Sequence, residues 1–355
     1  MAAPSVSLLI PNRNNEPALE LVLGRLAANT TYPDVEVVVV DDGSTDDSVA
    51  ILRRWRDSGR LPNLKLIERE HRGVIETLNE GLRAAEGDIV VQLDADASVE
   101  TPDWIQKMLA LFTFDERVGV VTGRVVIDDG HVHTYGVNIV GPEGCYDRGT
   151  RLLEPVGQRT LHSRVERPLD TESPLGRQIA EVDVGMGCCM MYRRELALEI
   201  GGYDDGFAPV WFDDLDLSLS MRKHGRKAFF LPDVLVSHRL SLRNVREVTT
   251  RRTQAVAAAK KRVGAVMPDR MRVAVGRAIG MEGPSPAHLE RLRHHYAYWR
   301  EKWGFDFLNP DMEAVRRLHG DTEVCWSVNP EMRTAGEEII AAFEASGAAP
   351  YRGSG

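Results

Sequence analysis

Ile89-Val90-Val91-Gln92-Leu93-Asp94-Ala95-Asp96 is an apolar strand that stops on two carboxylates one residue apart. In an extended chain residues i and i+2 point to the same side, so Asp94 and Asp96 can converge on one hard cation. Mg²⁺ or Mn²⁺ held by one or two carboxylates keeps open positions that suit diphosphate oxygens. An ordinary Asp turn at the end of a buried strand would look the same over this stretch alone, so the pattern around it must decide.

Upstream, strands and helices alternate. Val6–Ile10 is a continuous apolar run, followed by Pro17 near a helix start and Leu19, Val22, Leu23 and Leu26 at helical spacing. Val35–Val40 is a second strand, and Asp41-Asp42-Gly43-Ser44-Thr45-Asp46-Asp47 turns the chain, with Ser44 or Thr45 as the expected cap of the next helix. Leu64–Ile67 is a third strand, and a helix over 74–85 leads into Ile89–Leu93. Short parallel-type strands joined by helices predict a doubly wound α/β sheet with right-handed crossovers. Carboxylates at the C-terminal end of such a strand stand where open parallel sheets bind ligands, which favours the cation reading of Asp94 and Asp96.

Downstream, Trp104–Phe112 reads as a helix and Val118–Val121 as a strand. From residue 122 to about 179 the pattern becomes irregular, with turns at Asp129-Gly130 and Gly141-Pro142-Glu143-Gly144. A strand through Val182–Tyr192, a helix from Asp213 to about His224, and two short β segments split by Pro232 complete the first unit. Composition then shifts to helix, placing a boundary near residue 240 between a catalytic unit (1–240) and a helical extension (241–355) suited to packing, the acceptor side or homodimerisation. Arg243–Arg277 holds ten Lys or Arg against two acids. A solvated face is the first reading of that segment, and a docking surface for an anionic acceptor or for lipid phosphate at the inner membrane face is another.

The 355 residues carry 44 Lys and Arg against 53 Asp and Glu, a formal charge of −9 that argues against general nucleic-acid binding. Cys145, Cys188, Cys189 and Cys325 have no Cys-x-x-Cys spacing and read as reduced thiols. Neither a signal peptide nor a window of membrane-spanning length is apparent, so the expectation is a cytoplasmic protein. Gly-x-Gly-x-x-Gly is missing after the first strand, where Pro11-Asn12-Arg13-Asn14 stands instead, which disfavours a dinucleotide-binding dehydrogenase.

Four motifs in order resemble the inverting family 2 glycosyltransferases of the GT-A fold: Val-Ser-Leu-Leu-Ile-Pro-Asn-Arg-Asn, the Val-Asp-Asp-Gly-Ser-Thr-Asp turn, Asn79-Glu80-Gly81-Leu82 with Ala85-Glu86-Gly87-Asp88, and Leu93-Asp94-Ala95-Asp96. The resemblance covers roughly residues 5–240. It implies a GT-A-type open, mostly parallel twisted sheet with helices on both faces and a UDP-, dTDP- or GDP-linked sugar as donor. It also implies a glycan, lipid-linked or small-molecule acceptor. On that likeness Pro11, Asn12, Arg13 and Asp41 lie at the nucleotide, with Asn79 in the third motif also on the donor side. Asp94 lies at the ribose or metal, Asp96 at the metal, and His238 at the third metal ligand. Arg72 is the candidate diphosphate contact, since Leu78 stands where many relatives have Arg. Asp42, Asp46 and Asp47 are weighed evenly between site and turn.

Gly201-Gly202-Tyr203-Asp204 through Trp211-Phe212-Asp213-Asp214 resembles the stretch in which an acidic pair opens a helix. The likeness gives Asp214 the role of base and Asp213 that of cap, because inversion needs a carboxylate on the acceptor side of the anomeric carbon. Trp211 is open between stacking on an acceptor sugar and packing under the loop, and Gly187 between close approach to the donor sugar and strand packing. His131 and His133 read as hairpin imidazoles, exposed or acceptor-facing, ahead of a second metal site, and His294-His295 as helix surface and flank. A sugar-1-phosphate nucleotidyltransferase and a non-catalytic sugar-nucleotide-binding scaffold are the rival readings.

Overall fold

The computed structural model describes residues 3–61, 63–127, 132–138, 146–147, 151–156, 160–165, 174–239, 286–306 and 330–348. Strand–helix units open the chain: β1 (Val6–Asn12), α1 (Glu16–Asn29), β2 (Val35–Asp42), α2 (Ser48–Ser58), β3 (Leu64–Arg69), α3 (Val74–Ala84) and β4 (Ile89–Leu93). After them come β5 (Ala97–Val99), α4 (Trp104–Phe112), β6 (Val118–Ile127) and β7 (Val132–Thr134). A separate antiparallel sheet holds β8 (Val137–Asn138), β9 (Tyr146–Asp147), β10 (Arg151–Val156) and β11 (Thr160–Val165). The remaining elements are β12 (Ala180–Val182), β13 (Cys189–Arg193), α5 (Arg194–Glu199), α6 (Asp213–Lys223), β14 (Lys227–His238), α7 (Pro286–Trp303) and α8 (Pro330–Ala345).

The main sheet runs β12-β14-β6-β13-β4-β1-β2-β3, with β5 added to β14 and β7 to β6. β1, β2, β3 and β4 are mutually parallel, as are β6 and β14, while β13 joins the two groups antiparallel to both. Because strand side chains alternate, the sheet has two apolar faces. Leu8, Ile10, Val37, Val39 and Val91 face a core with α1, α2 and α4, whereas Leu9, Val38, Val40 and Val90 face one with α3 and α6. Gln92 shares the parity of Val90 and is 2% exposed, so a polar side chain enters the second face beneath the strand end.

Three readings of the sequence change. The expected strand over 182–192 is two strands in different places, because the segment containing Gly185 and Gly187 crosses between them. The segments around Pro232 belong to one strand whose register on β6 shifts between Leu231 and Leu235, as suits a residue without an N–H. Ser44 does not cap α2; Asp47 is its N-cap residue, and the Ser44 hydroxyl turns back to Asp41.

The described C-terminal helices do not form a separate core. Trp299 and Trp303 of α7, with Phe305, pack with Leu78, Phe207 and Phe212, while Ile339 and Phe343 of α8 join the opposite face. His295 is fully buried in this aromatic cluster, against the expectation of a surface flank, and burial pushes its imidazole below its usual pKa. Residues 243–277, the turns at 129–130 and 141–144, and Cys145 and Cys325 lie outside the described residues, whereas Cys188 and Cys189 are buried free thiols. Among the described residues no helix is long and apolar enough to cross a membrane.

Candidate active site

β4 ends at Leu93, and the chain turns at once: Asp94 O accepts from the Ala97 N–H at 2.9 Å, and β5 departs antiparallel to the end of β14. In that pairing His238 stands opposite Ala97, and the Arg239 N–H reaches Asp96 O at 2.7 Å. A histidine 142 residues downstream is thereby placed beside the two carboxylates: His238 Nε2 lies 3.2 Å from Asp96 Oδ1 and 3.6 Å from Asp94 Oδ2. Asp94, Asp96 and His238 each offer one ligand atom, all within 4.8 Å of one another. Asp96 is fully buried and the Asp94 side chain 30% exposed, so one wall of the cluster is closed and one open. Two carboxylate oxygens and one imidazole nitrogen form a donor set that can hold a divalent cation with positions left over. His133, on β7, meets the His238 ring edge to face at 5.1 Å between centroids, so it belongs to the surroundings of this cluster. His131 lies outside the described residues.

The acidic pair opens α6 next to that cluster. Trp211 (φ +79°) and Phe212 (φ +66°) are both in the left-handed region, an unfavourable conformation for bulky residues that makes a sharp entry into the helix. Phe212 stacks on Phe207 at 5.6 Å and packs against Trp299, contacts that hold the bend. Asp214 accepts from the Gly187 N–H at 2.9 Å through one oxygen and from the Leu215 N–H at 2.8 Å through the other. A Cβ on Gly187 would stand 2.7 Å from Gln92 Nε2 and 3.3 Å from the Asp214 Cβ, so this position admits only glycine without displacement. Burial, then the adjacent Asp214 carboxylate, push Asp213 up to about 8, while a hydrogen bond with Gln92 favours its charged form. Burial also raises Asp214, against the backbone N–H groups that stabilise its anion. Two carboxylates this close in a desolvated site cannot both ionise easily, so they titrate as a pair.

Behind the pair runs a buried polar chain that the sequence did not reveal. Tyr192 and Tyr203 hydroxyls meet at 2.7 Å, and Tyr203 donates to Gln92 Oε1 at 2.8 Å. Asn79, expected on the donor side, instead spends both ends of its amide on the Tyr203 backbone, at 2.7 Å and 2.8 Å. That pairing makes it an anchor between α3 and the segment leading to Asp213.

A cleft of about 330 Å³ opens beside the ends of β1 and β2, lined by Pro11, Asn12 and Arg13, by Asp42, His71, Gly73 and Thr77, and across from them by Pro209, Val210 and Arg291. Asp41 is 1% exposed, and its oxygens accept from Asn12 Nδ2 at 2.7 Å and from the Ser44 N–H and hydroxyl at 2.9 and 2.6 Å. Asp42 is the acid lining the cleft, held by His71 Nδ1 at 2.6 Å and by the Arg72 and Gly73 N–H groups at 2.8 and 2.9 Å. Neighbours on a strand face opposite sides, so only one of these two adjacent acids can line the cleft. The Arg72 side chain is 64% exposed, 3.6 Å from Glu76, and is not among the lining residues.

The model of the family described as "Glycosyl transferase family 2" matches residues 7–201. The chain belongs to that family. Glycosyl transferase family 2 is thus carried by the β1–α5 region that holds Asp94, Asp96 and Gly187, with Asp214, His238 and α7 beyond the matched span. Among curated relatives, the O-antigen biosynthesis protein RfbC of Myxococcus xanthus is 27% identical over 227 residues, 62% of this chain and 16% of its own length. Validoxylamine A glucosyltransferase of Streptomyces hygroscopicus subsp. limoneus is 36% identical over 123 residues, 34% of this chain and 26% of its own. The chain therefore spans only 16% and 26% of the lengths of these two relatives. GalNAc-T7, solved with UDP, GalNAc and Mn²⁺, superposes with a TM-score of 0.51 at 18% identity over 66% of this chain and 43% of its own, a likeness of fold. The fold is accordingly the GT-A-like α/β arrangement expected from the sequence.

Proposed function

We propose that this family 2 chain is a metal-dependent, inverting glycosyltransferase that moves a sugar from a nucleotide-diphosphate donor to an acceptor hydroxyl. The observation that carries this reading is the convergence of Asp94, Asp96 and His238 beside the Asp213–Asp214 pair. These three residues would hold Mn²⁺ or Mg²⁺, with the mixed oxygen and nitrogen set favouring Mn²⁺. When bound, the ion offsets the charge that grows on the leaving diphosphate.

Asp214 is the base in this reading. The Gly187 and Leu215 N–H groups fix its carboxylate, and Asp213 keeps the proton that the pair shares. As the acceptor oxygen bonds to the anomeric carbon, the bond to the diphosphate oxygen breaks and the acceptor proton passes to Asp214. Attack from the side opposite the leaving group inverts the anomeric centre. Asp42, with Pro11 and Asn12, lines the nucleotide end, and Asp41 and Asn79 are positioning residues. The exposed Arg72 side chain leaves Arg13 as the cation on that wall of the cleft.

The test is calorimetry of UDP-, dTDP- and GDP-sugars with and without Mn²⁺, followed by the anomeric configuration of the product. Binding of one donor class that requires the cation, with an inverted product, is expected. Donor binding indifferent to Mn²⁺, or a retained configuration, would refute the reading.

A further inference from the structure

We infer that Arg291, on a helix beyond the span matched by the family model, is a nucleobase-binding residue that closes the cleft from the C-terminal side. This role presupposes the donor reading above. The cleft has two walls of different origin: strand ends and the start of α3 on one side, and Pro209, Val210 and Arg291 on the other. The walls touch at one end, where the Val74 N–H donates to Pro209 O at 2.9 Å. Gly73, with φ +107°, permits that contact, because a Cβ there would lie 2.7 Å from the Pro209 Cβ.

Arg291 is half-buried, and its guanidinium carbon stands 5.6 Å from the centre of the Trp211 ring. Two other cations of the same helix are committed, Arg300 to Asp306 at 3.3 Å and Lys302 to Asp204 and Asp216, and Arg293 is exposed. Among the described residues no carboxylate pairs with Arg291. Its planar fork therefore keeps N–H donors for whatever fills the cleft, within cation–π range of Trp211. A nucleobase supplies both complements, carbonyl oxygens for the donors and a π face for stacking. A base fits this cleft better than a diphosphate does, because Asp94, Asp96 and His238 are not among its lining residues and the phosphates must lie near them.

The experiment is calorimetry on the full chain with Mn²⁺, using UDP, dTDP and GDP and the corresponding monophosphates. Arg291→Met should weaken the nucleotide that the unmodified protein binds by about 10- to 100-fold, and Arg291→Lys by less. The factor should be the same for monophosphate and diphosphate, and the exposed Arg293→Met should leave affinity unchanged. Without nucleotide, Arg291→Met should melt with the unmodified protein, since no ion pair is lost. Unchanged affinity in Arg291→Met would overturn the role, and so would a loss confined to the diphosphate, which would put the guanidinium on the phosphates. If the unmodified protein bound none of the three, the donor reading itself would fall, and this role with it.

Discussion

Replacing Asp216 by alanine should release α7 from the helix that carries the acidic pair. Asp216 is 2% exposed and accepts from Lys302 Nζ at 2.8 Å and from Trp303 Nε1 at 2.9 Å. Without it, the Trp303 N–H loses its acceptor within the aromatic cluster, a cost of about 1–3 kcal/mol. Breaking a buried ion pair costs about 3–5 kcal/mol when the remaining charge is stranded. Lys302 is not stranded, because Asp204 still holds it, so the ionic part falls below that range. The two contributions together give about 3–4 kcal/mol, on the order of a 100-fold or greater shift in the folding equilibrium. Urea unfolding followed by tryptophan fluorescence reads this directly, since Trp299 and Trp303 lie in the affected cluster. Asp216→Asn, which keeps an acceptor for the indole, should lose about half as much, and a cycle with Lys302→Met should show a coupling above about 1 kcal/mol. An Asp216→Ala protein within about 0.5 kcal/mol of the unmodified one would refute the clamp.

Asp214→Asn should lower transfer by about 10²–10⁴-fold while leaving nucleotide affinity unchanged, as single-turnover rates and calorimetry would show; near-normal turnover would remove Asp214 from the role of base. Asp96→Ala should abolish saturable Mn²⁺ binding, measured by titration of the metal alone, and retained affinity would move the ion elsewhere. Gly187→Ala should reduce the rate constant of transfer more than donor affinity, because the new methyl presses on Gln92 and Asp214; equal loss in both would argue for a general packing defect. Asp213, raised by burial to about 8 from an ordinary value near 3.8, binds its proton more tightly folded than unfolded. The stability it contributes is full below about pH 4 and lost as pH rises towards 8, with a slope of at most about 1.4 kcal/mol per pH unit. Metal-free Asp213→Asn should therefore gain on the unmodified protein between pH 5 and pH 8 in urea midpoints, and parallel curves would contradict the assigned environment.

The strand–helix alternation and the carboxylates at the end of β4 were legible because they are local: a period of two in a strand and of 3.6 in a helix is written in neighbouring residues. The resemblance put Asp213 and Asp214 at the start of a helix, and α6 begins there. What Asp42, Asn79 and Arg72 touch was not legible for one reason. Which of two adjacent strand acids faces the cleft, and whether an amide or guanidinium meets ligand, backbone or solvent, depends on what the fold places opposite, and a linear motif does not contain that.

By itself, the sequence determined an α/β sheet, the segment that bears the candidate metal carboxylates, and the acidic pair on its helix. Tertiary structure supplied the β14–β5 register that brings His238, which the resemblance had named, to Asp96, and it alone decided that Tyr203 and Gln92 stand behind Asp213 and that α7 packs on the acidic loop and lines the cleft. The physical reason is that propensity and periodicity act over a few residues, whereas pairing register and the burial of aromatic side chains are set by contacts across scores of residues, where no nearby residue records the partner.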